Sequence, residues 1–361
     1  MRHIFENGDD VSKIRKSLEL GQEFLSGNWN FLEEKDIEIR KILGGQSNLL
    51  HLVSTNNPKK LRPDEPAKFL VRIHCQPLTA QQIAQDVLVF AVLAERGLGP
   101  KIYGFFEGGR LEEYLESRTF NESDVRIEEN AHKIGETYRK FHSLQLPISK
   151  KPQAILKMRE WLEDFKNLGG EYHEVIQNQV DFPEAPKILT INDLQNELDE
   201  FEKMCGIFED TVVFSHNDLA AMNILELNDS NDLIFIDFEY ASYNWRGFDL
   251  GMHLSEHAYD YRTTVPPFYM LDASMYENNP NVRIVCSSYL KNTRDSVEDL
   301  IEECQFFWSL CNMFFGIWSL RNYTAKIDNG IDLRSNASDR FALYFHMKNR
   351  SIEIFENRKN Y

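Results

Sequence analysis

Residues 214–223 have the sequence FSHNDLAAMN, and residues 236–240 have the sequence IDFEY. A short apolar run leads into each segment, residues 212–214 before Asp218 and residues 233–236 before Asp237. The first segment also places Asn223 after Asp218, with four residues between them. Short apolar runs predict strands, so we expect both acidic residues in loops that follow strands.

The side chains of these segments suit phosphoryl transfer from ATP. The pattern His-x-Asp-x-x-x-x-Asn provides a carboxylate that can accept a hydroxyl proton and an amide oxygen that can bind Mg²⁺. Protein kinases use the same Asp-to-Asn spacing and place a metal-binding Asp at the end of a later strand. We therefore predict Asp218 as the catalytic base, with His216 as a catalytic residue that braces its loop. Asn223 and Asp237 are the predicted magnesium ligands.

Together with their flanks, the two segments resemble the choline/ethanolamine kinase family. The chain continues with NWRGFDL at residues 244–250, which protein kinases lack. GGQSN at residues 44–48 resembles the nucleotide loop of the family, and FLVR at residues 69–72 resembles its third strand. Residues 93–100 and 109–118 also match, so the resemblance extends over most of the chain.

The resemblance implies a bilobal, protein-kinase-like α+β fold, with a small β-rich N-terminal lobe at residues 1–115 and a larger, mostly helical lobe at residues 116–361. Hydrophobic patterning agrees, because short apolar runs predict several strands and a helix in the first part, whereas helical spacing prevails in the second. The implied activity is ATP-dependent phosphorylation of the hydroxyl of choline or ethanolamine, whose product serves phospholipid synthesis. The family also implies a homodimer.

Carried over residue by residue, the resemblance also assigns the nucleotide site. Four residues of the Gly-rich segment would contact the nucleotide: Gly44, Gly45, Ser47 and Asn48. A Gly-Gly pair lets the backbone approach phosphates, although such a pair alone is typical of an ordinary turn. Arg72 would meet the phosphates with Asp86 as its acidic partner, and Glu239 would support the magnesium site.

The acceptor should be a small cationic amino alcohol. A quaternary ammonium is held by aromatic faces and carboxylates, whereas a primary ammonium donates hydrogen bonds. The predicted substrate residues are Asp218, Glu256, Tyr261, Phe315 and Trp318. Phe315 stands where the family usually has tryptophan, and phenylalanine is the weaker partner for a cation. An ordinary place in a helix core remains an alternative for Phe315.

Composition excludes several other classes of function. Lys and Arg total 40 against 57 Asp and Glu, a formal charge of −17, which argues against a nucleic-acid partner. Five cysteines without paired spacing, and no apolar leader, predict a cytoplasmic protein. The uncharged residues 304–320 are short for a membrane span and predict a buried helix, so no stable membrane insertion is expected.

Two alternatives remain open from the sequence. Kinases of aminoglycosides and related sugars share His-x-Asp-x-x-x-x-Asn and a following Ile-Asp, although residues 244–249 argue against them. A relative that binds a ligand or a partner without catalysis is the other alternative. Retention of Asp218, Asn223 and Asp237 argues against that loss of chemistry.

Overall fold

A computed structural model describes the protein at residues 1–42, 48–74, 79–176, 178–327 and 330–359. The chain forms two compact units, Met1–Ser117 with Leu227–Asp229 and Arg118–Glu226 with Ser230–Tyr361. The first contains an antiparallel sheet and the second is largely helical, which confirms the predicted α+β class.

The N-terminal unit contains α1 (Arg2–Asn7), α2 (Asp10–Phe24), β1 (Ile37–Ile42), β2 (Asn48–Thr55), β3 (Lys68–His74), α3 (Ala80–Glu95), β4 (Ile102–Phe106) and β5 (Gly109–Glu113). These strands form one sheet in the order β1-β2-β3-β5-β4. Side chains alternate between the faces of a strand. Phe69, Val71 and Ile73 therefore share one face of β3, where they are buried with Trp29. Arg72 consequently points to the opposite face of the sheet.

The C-terminal unit is built mainly from helices. Its described helices are α4 (Glu128–His142), α5 (Ala154–Asn167), α6 (Ile191–Cys205), α7 (Arg246–Glu256), α8 (Met275–Asn278), α9 (Asn281–Tyr289), α10 (Val297–Thr324) and α11 (Leu333–Lys359). The remaining strands are β6 (Ser117–Thr119), β7 (Tyr172–Glu174), β8 (Ile188–Thr190), β9 (Val212–Ser215), β10 (Ile224–Leu227), β11 (Leu233–Phe235), β12 (Ser242–Trp245), β13 (Tyr259–Asp260) and β14 (Met270–Leu271).

Helix α10 is the centre of the helical core. Phe307, Met313 and Ile317 on this helix are fully buried, and the helix packs along α11. An apolar helix covered on all sides belongs to a protein core, as the uncharged run at residues 304–320 predicts. Among the described residues, no helix has the length and hydropathy needed to cross a bilayer.

Two pairs of short strands hold the loops of interest. β9 pairs antiparallel with β12, with Ser215 opposite Ser242. β10 pairs with β11, with Ile224 opposite Phe235. The strands predicted from the apolar runs at residues 212–214 and 233–236 are thus present, and the loops that follow β9 and β11 carry the two motif aspartates.

Candidate active site

The loop after β9 is anchored by a buried carboxylate in α7. Asp249 Oδ2 accepts the backbone N–H of His216 at 2.7 Å, and Oδ1 accepts that of Asn217 at 2.7 Å. His142 Nε2 lies 2.9 Å from Asp249 Oδ2. Burial favours the neutral acid, but the hydrogen bond and charge of His142 and the backbone donor outweigh burial and lower the pKa of Asp249. An ionised Asp249 therefore fixes the backbone directly before Asp218.

Asn217 connects the same loop to the segment after β11. Its φ of +65° lies in the left-handed region, which asparagine tolerates better than most residues. Its Nδ2 donates to the carbonyl of Tyr240 at 2.9 Å and to the hydroxyl of Ser242 at 3.0 Å. Asn244 Nδ2 donates to its Oδ1 at 2.9 Å. The side chain thus makes specific bonds that compensate for an uncommon backbone conformation.

His216 connects the loop after β9 to the residue before Asp237. Its side chain is fully buried, and Nε2 lies 2.9 Å from the carbonyl of Ile236, the residue before Asp237. A carbonyl can only accept, so this nitrogen carries the proton. Burial lowers the pKa of His216 and keeps the imidazole neutral. Through this contact His216 connects the loop that carries Asp218 to the segment that carries Asp237, and its role in catalysis stays a prediction.

The carboxyl groups of Asp218, Asp237 and Glu239 lie close enough for their charges to repel each other. Burial raises the pKa of Asp218 well above its usual range, and the neighbouring carboxylates of Glu239, Asp237 and Glu256 raise it further. Like charges at one place cost free energy unless a cation balances them. This electrostatic environment suits a site that receives a divalent cation and a positively charged acceptor.

Asn223 is joined to Asp218 through its amide nitrogen. Its Nδ2 donates to the backbone carbonyl of Asp218 at 2.8 Å, and the backbone carbonyl of Asn223 accepts the N–H of Ile236 at 2.9 Å. With the amide nitrogen committed, the amide oxygen is the atom left to coordinate a cation. Within the described ranges, no three His, Cys, Asp or Glu side chains form a metal cluster by themselves. That donor set fits Mg²⁺, which usually binds one or two carboxylates together with phosphates and water.

A buried ion pair forms one wall of the predicted acceptor site. The Tyr261 hydroxyl donates to Glu256 Oε2 at 2.9 Å. Arg340 Nη2 donates to Glu256 Oε1 at 2.5 Å and to the Tyr261 oxygen at 3.2 Å. The Arg340 guanidinium is 3.6 Å from the ring centroid of Tyr259 and 4.8 Å from that of Phe315. Arg340 is 2% exposed, and sequence reasoning did not single it out.

The other predicted aromatic residues connect this wall to the loop after β9, which carries Asp218. Trp318 Nε1 donates to the Tyr240 hydroxyl at 3.0 Å, and the Trp318 and Phe315 rings meet edge to face at 6.4 Å. The Tyr240 carbonyl in turn accepts from Asn217. Phe315 also packs on the helical core, so part of its surface has the ordinary core role considered above. The structure therefore brings the predicted acceptor residues and the loop after β9 into one network.

A small cavity lies between the loop after Asp218 and this wall. Its volume is about 10 Å³, room for about one water molecule. Its lining residues are Glu122, Val125, Ala220, Ala221, Met222, His253, Glu256, His257 and Tyr261.

A pair of histidines holds the carbonyl next to Asp218. His253 Nδ1 lies 2.9 Å from the Leu219 carbonyl, and its Nε2 lies 3.2 Å from His257 Nε2. His257 Nδ1 lies 2.9 Å from Asn279 Nδ2. The carbonyl requires the proton of His253 on Nδ1, so we assign His257 Nε2 as the donor to His253 and Asn279 as the donor to His257. Burial lowers the pKa of both imidazoles, that of His253 to about 4.

In the N-terminal unit, Arg72 belongs to a buried charge cluster. Its Nε donates to Glu112 Oε1 at 2.6 Å, and Arg110 pairs with both Glu112 and Asp86. Burial raises the pKa of Asp86, although the Arg110 guanidinium acts to lower it. The sequence missed Arg110 and Glu112, which link Arg72 to Asp86. A direct pair between Arg72 and Asp86 stays a prediction.

Of the predicted nucleotide loop at residues 44–48, the structure describes only the last residue, Asn48. Asn48 begins β2, and its Oδ1 lies 3.2 Å from His74 Nδ1. Gly44, Gly45 and Ser47 lie outside the described residues.

Comparison with known proteins assigns the chain to a family. The profile of the family described as Choline/ethanolamine kinase matches residues 39–345. The chain is 44% identical to choline kinase B2 of Caenorhabditis elegans, covering 96% of this chain and 95% of that protein. It is 41% identical to choline kinase B1 of the same organism, covering 98% and 96%.

Among solved structures, the fold resembles that of choline kinase from Cryptosporidium parvum. The TM-score is 0.75 at 20% sequence identity, over 94% of this chain and 96% of that one. At this identity the likeness concerns the fold alone, while the family profile and the two relatives concern the sequence. By that sequence evidence, the predicted family is confirmed, and this chain belongs to the choline/ethanolamine kinase family.

Proposed function

We propose that this chain transfers the γ-phosphate of Mg-ATP to the hydroxyl of choline, with ethanolamine as a second substrate. The observation that carries the proposal is the convergence of Asp218, Asn223 and Asp237, on two anchored loops, beside a wall of aromatic rings and a carboxylate. Family membership supports ATP as the donor, and the relatives named choline kinase support choline as the acceptor.

In this proposal, Asp218 orients the acceptor hydroxyl and takes its proton. The hydroxyl oxygen attacks the γ-phosphorus, the bond to the bridging oxygen of the β-phosphate breaks, and ADP leaves. Asn223 and Asp237, supported by Glu239, would hold Mg²⁺, which neutralises phosphate charge when it is bound. His216 positions both loops without contacting the reacting atoms.

Nucleotide contacts are proposed for the N-terminal unit. Arg72 is assigned to the phosphates, because its guanidinium is positively charged and held in place by Glu112. Gly44, Gly45, Ser47 and Asn48 are assigned to the nucleotide loop by their match to the family. Asp86 supports Arg72 through Arg110 in this assignment.

Recognition of the acceptor combines charge with aromatic faces. Trp318, Phe315 and Tyr261 offer rings in one network of contacts with Glu256, whose carboxylate is paired with Arg340. A small cation gains free energy from the ring faces and from the negative charge around Asp218. This combination supports an amino alcohol better than an uncharged sugar.

The direct test measures ADP release and the mass of the product with purified protein, Mg-ATP and one acceptor at a time. Choline, ethanolamine, an aminoglycoside and a neutral sugar are compared. Phosphorylated choline is the expected product, at the highest kcat/KM of the set. If both amines remain unmodified while an aminoglycoside is phosphorylated, the acceptor assignment is wrong.

Several expectations from the sequence stay predictions. They are the cytoplasmic location, the homodimer, the supply of head groups for phospholipids, and a lobe boundary at residues 115–116. The observed units change at Ser117–Arg118.

A further inference from the structure

Arg340 places a positive charge inside the acceptor wall. The residue is 2% exposed and lies in α11, whereas Glu256 lies 84 positions earlier, at the end of α7. Its guanidinium, Glu256 and the Tyr261 hydroxyl form a closed triangle of hydrogen bonds. We propose that Arg340 is a specificity-determining residue, which makes the pocket favour a quaternary ammonium over a primary ammonium. This inference rests on the proposed function.

The first step concerns the oxygens of Glu256. Oε1 accepts from Arg340 at 2.5 Å and Oε2 accepts from Tyr261 at 2.9 Å. Each oxygen retains one lone pair, but the net charge of the pair is zero. A primary ammonium gains most from close hydrogen bonds to an ionised, uncommitted carboxylate. Glu256 is therefore a poor partner for it.

The protonation states support this arrangement. Burial raises the pKa of Tyr261 well above its usual range, and the Glu256 carboxylate raises it further, so the phenol keeps the proton that it donates. Burial opposes the charge on Arg340, but Glu256 and the surrounding tyrosines outweigh burial and raise the pKa of Arg340. The triangle thus consists of a charged guanidinium, a neutral phenol and a carboxylate.

The other carboxylates are engaged in the proposed reaction. Asp218 takes the proton of the acceptor hydroxyl, while Asp237 binds magnesium with the support of Glu239. A primary ammonium therefore finds few uncommitted hydrogen-bond acceptors. A quaternary ammonium donates no N–H hydrogen bonds and needs only faces of rings, which Trp318 and Tyr240 can provide. The pocket therefore favours a quaternary ammonium, because it offers a primary ammonium few hydrogen-bond acceptors.

Arg340 also covers two rings. At 3.6 Å from the Tyr259 centroid and 4.8 Å from the Phe315 centroid, its guanidinium already has a cation–π contact with each. One side of Phe315 is consequently occupied by a resident cation. The ammonium group of the acceptor would therefore contact mainly Trp318 and its neighbours, on the side of the pocket away from the Arg340 guanidinium.

The test compares kcat/KM for choline, dimethylethanolamine, monomethylethanolamine and ethanolamine. In the wild type we expect kcat/KM for choline to exceed that for ethanolamine by about tenfold, the size of one charge-assisted hydrogen bond. Arg340→Met frees Glu256, so the ratio of choline to ethanolamine should fall by about tenfold. Arg334→Met, on the same helix and in an exposed pair with Glu174, should keep the wild-type ratio.

Tyr261→Phe provides a second variant that removes only a hydroxyl. It frees Glu256 Oε2, and we expect the ratio to shift toward ethanolamine by about threefold. If Arg340→Met does not fold, as circular dichroism would show, this variant decides. A wild type that prefers ethanolamine, or a ratio unchanged in the folded variants, overturns the inference. Absence of turnover with every amine in the wild type instead refutes the proposed function.

Discussion

The carboxylate of Asp249 accepts the backbone N–H of Asn217 at 2.7 Å, which ties helix α7 to the loop that carries Asp218. The other oxygen accepts the backbone N–H of His216 and lies within hydrogen-bond distance of the His142 imidazole. Both oxygens of this buried carboxylate are therefore hydrogen-bonded, and the position of the loop that carries Asp218 depends on them. Segment 244–250 of the sequence, which distinguishes the chain from protein kinases, thus contributes the anchor of the loop.

Asp249→Asn should impair both folding and catalysis. An amide nitrogen would face N–H donors, so we expect the free energy of unfolding to fall by about 2–4 kcal/mol. A loop displaced by a fraction of an ångström should lower kcat by about 10- to 100-fold. Urea denaturation and steady-state kinetics measure the two effects. Asp199→Asn, at an exposed salt bridge of α6, should leave both unchanged. A normal kcat in the Asp249 variant would contradict the anchoring role.

Asp218→Asn should separate activity from stability. Loss of the base should lower kcat by about 10²- to 10⁴-fold. Because neighbouring carboxylates and burial disfavour the charge on Asp218, we expect the variant without nucleotide and metal to be at least as stable as the wild type. Product formation and thermal unfolding test this, with the exposed Asp210→Asn as the control. Equal activity of the variant and the wild type would support a non-catalytic role for the site.

Asp237→Asn should change the dependence on magnesium. We expect the Mg²⁺ concentration for half-maximal activity to rise about tenfold or more at fixed ATP. A titration with MgCl₂, and the loss of activity with EDTA, measure the effect. Asp232→Asn lies in the exposed turn before β11 and provides the matched control. An unchanged titration curve would remove Asp237 from the proposed magnesium site.

Trp318→Leu should weaken binding of the acceptor more than chemistry. The indole provides a ring face for the cation and a hydrogen bond that holds Tyr240. Loss of one cation–π contact should raise KM for choline by about 3- to 20-fold while kcat changes little. Tyr323→Leu, an exposed aromatic position on the same helix, should leave KM unchanged. If KM for choline is the same in both variants, Trp318 does not contact the substrate.

Glu112→Gln should destabilise the N-terminal unit at neutral pH. Two buried guanidinium groups, those of Arg72 and Arg110, would lose their shared carboxylate, which should cost about 3–5 kcal/mol in the free energy of unfolding. Glu113→Gln, at a more exposed neighbouring position, should cost much less.

The same cluster predicts a dependence on pH. Burial alone would raise the pKa of Glu112, but Arg72 and Arg110 outweigh it and lower the pKa from its usual 4.5 to about 2. A lowered pKa stabilises the fold above pH 4.5, and the contribution, roughly 3 kcal/mol, is lost as the pH falls from 4.5 toward 2. The stability difference between wild type and Glu112→Gln should therefore shrink across this range in urea denaturation. A constant difference would contradict this lowered pKa.

Much of the fold and of the catalytic loops was predictable because the relevant signals are local. Apolar runs placed strands before Asp218 and Asp237, and the uncharged run at residues 304–320 predicted the buried part of α10. The bracing role of His216 was likewise predicted from its place in the motif, and the structure places its imidazole in contact with the Ile236 carbonyl. Spacing along the chain is enough for such inferences, since the residues belong to one strand–loop unit.

By itself, the sequence determined the family, the class of fold and the candidate catalytic residues. Only the tertiary structure decided that Arg340 neutralises Glu256, that Glu112 joins Arg72 to Arg110, and that Asp249 holds the catalytic loop. The physical reason is that charges pair with whatever group the packing of helices and the register of strands bring within hydrogen-bond distance. Most of these partners lie tens of residues apart. Arg110 and Glu112 are near neighbours in sequence, but their cluster with Arg72 depends on the pairing of β3 with β5.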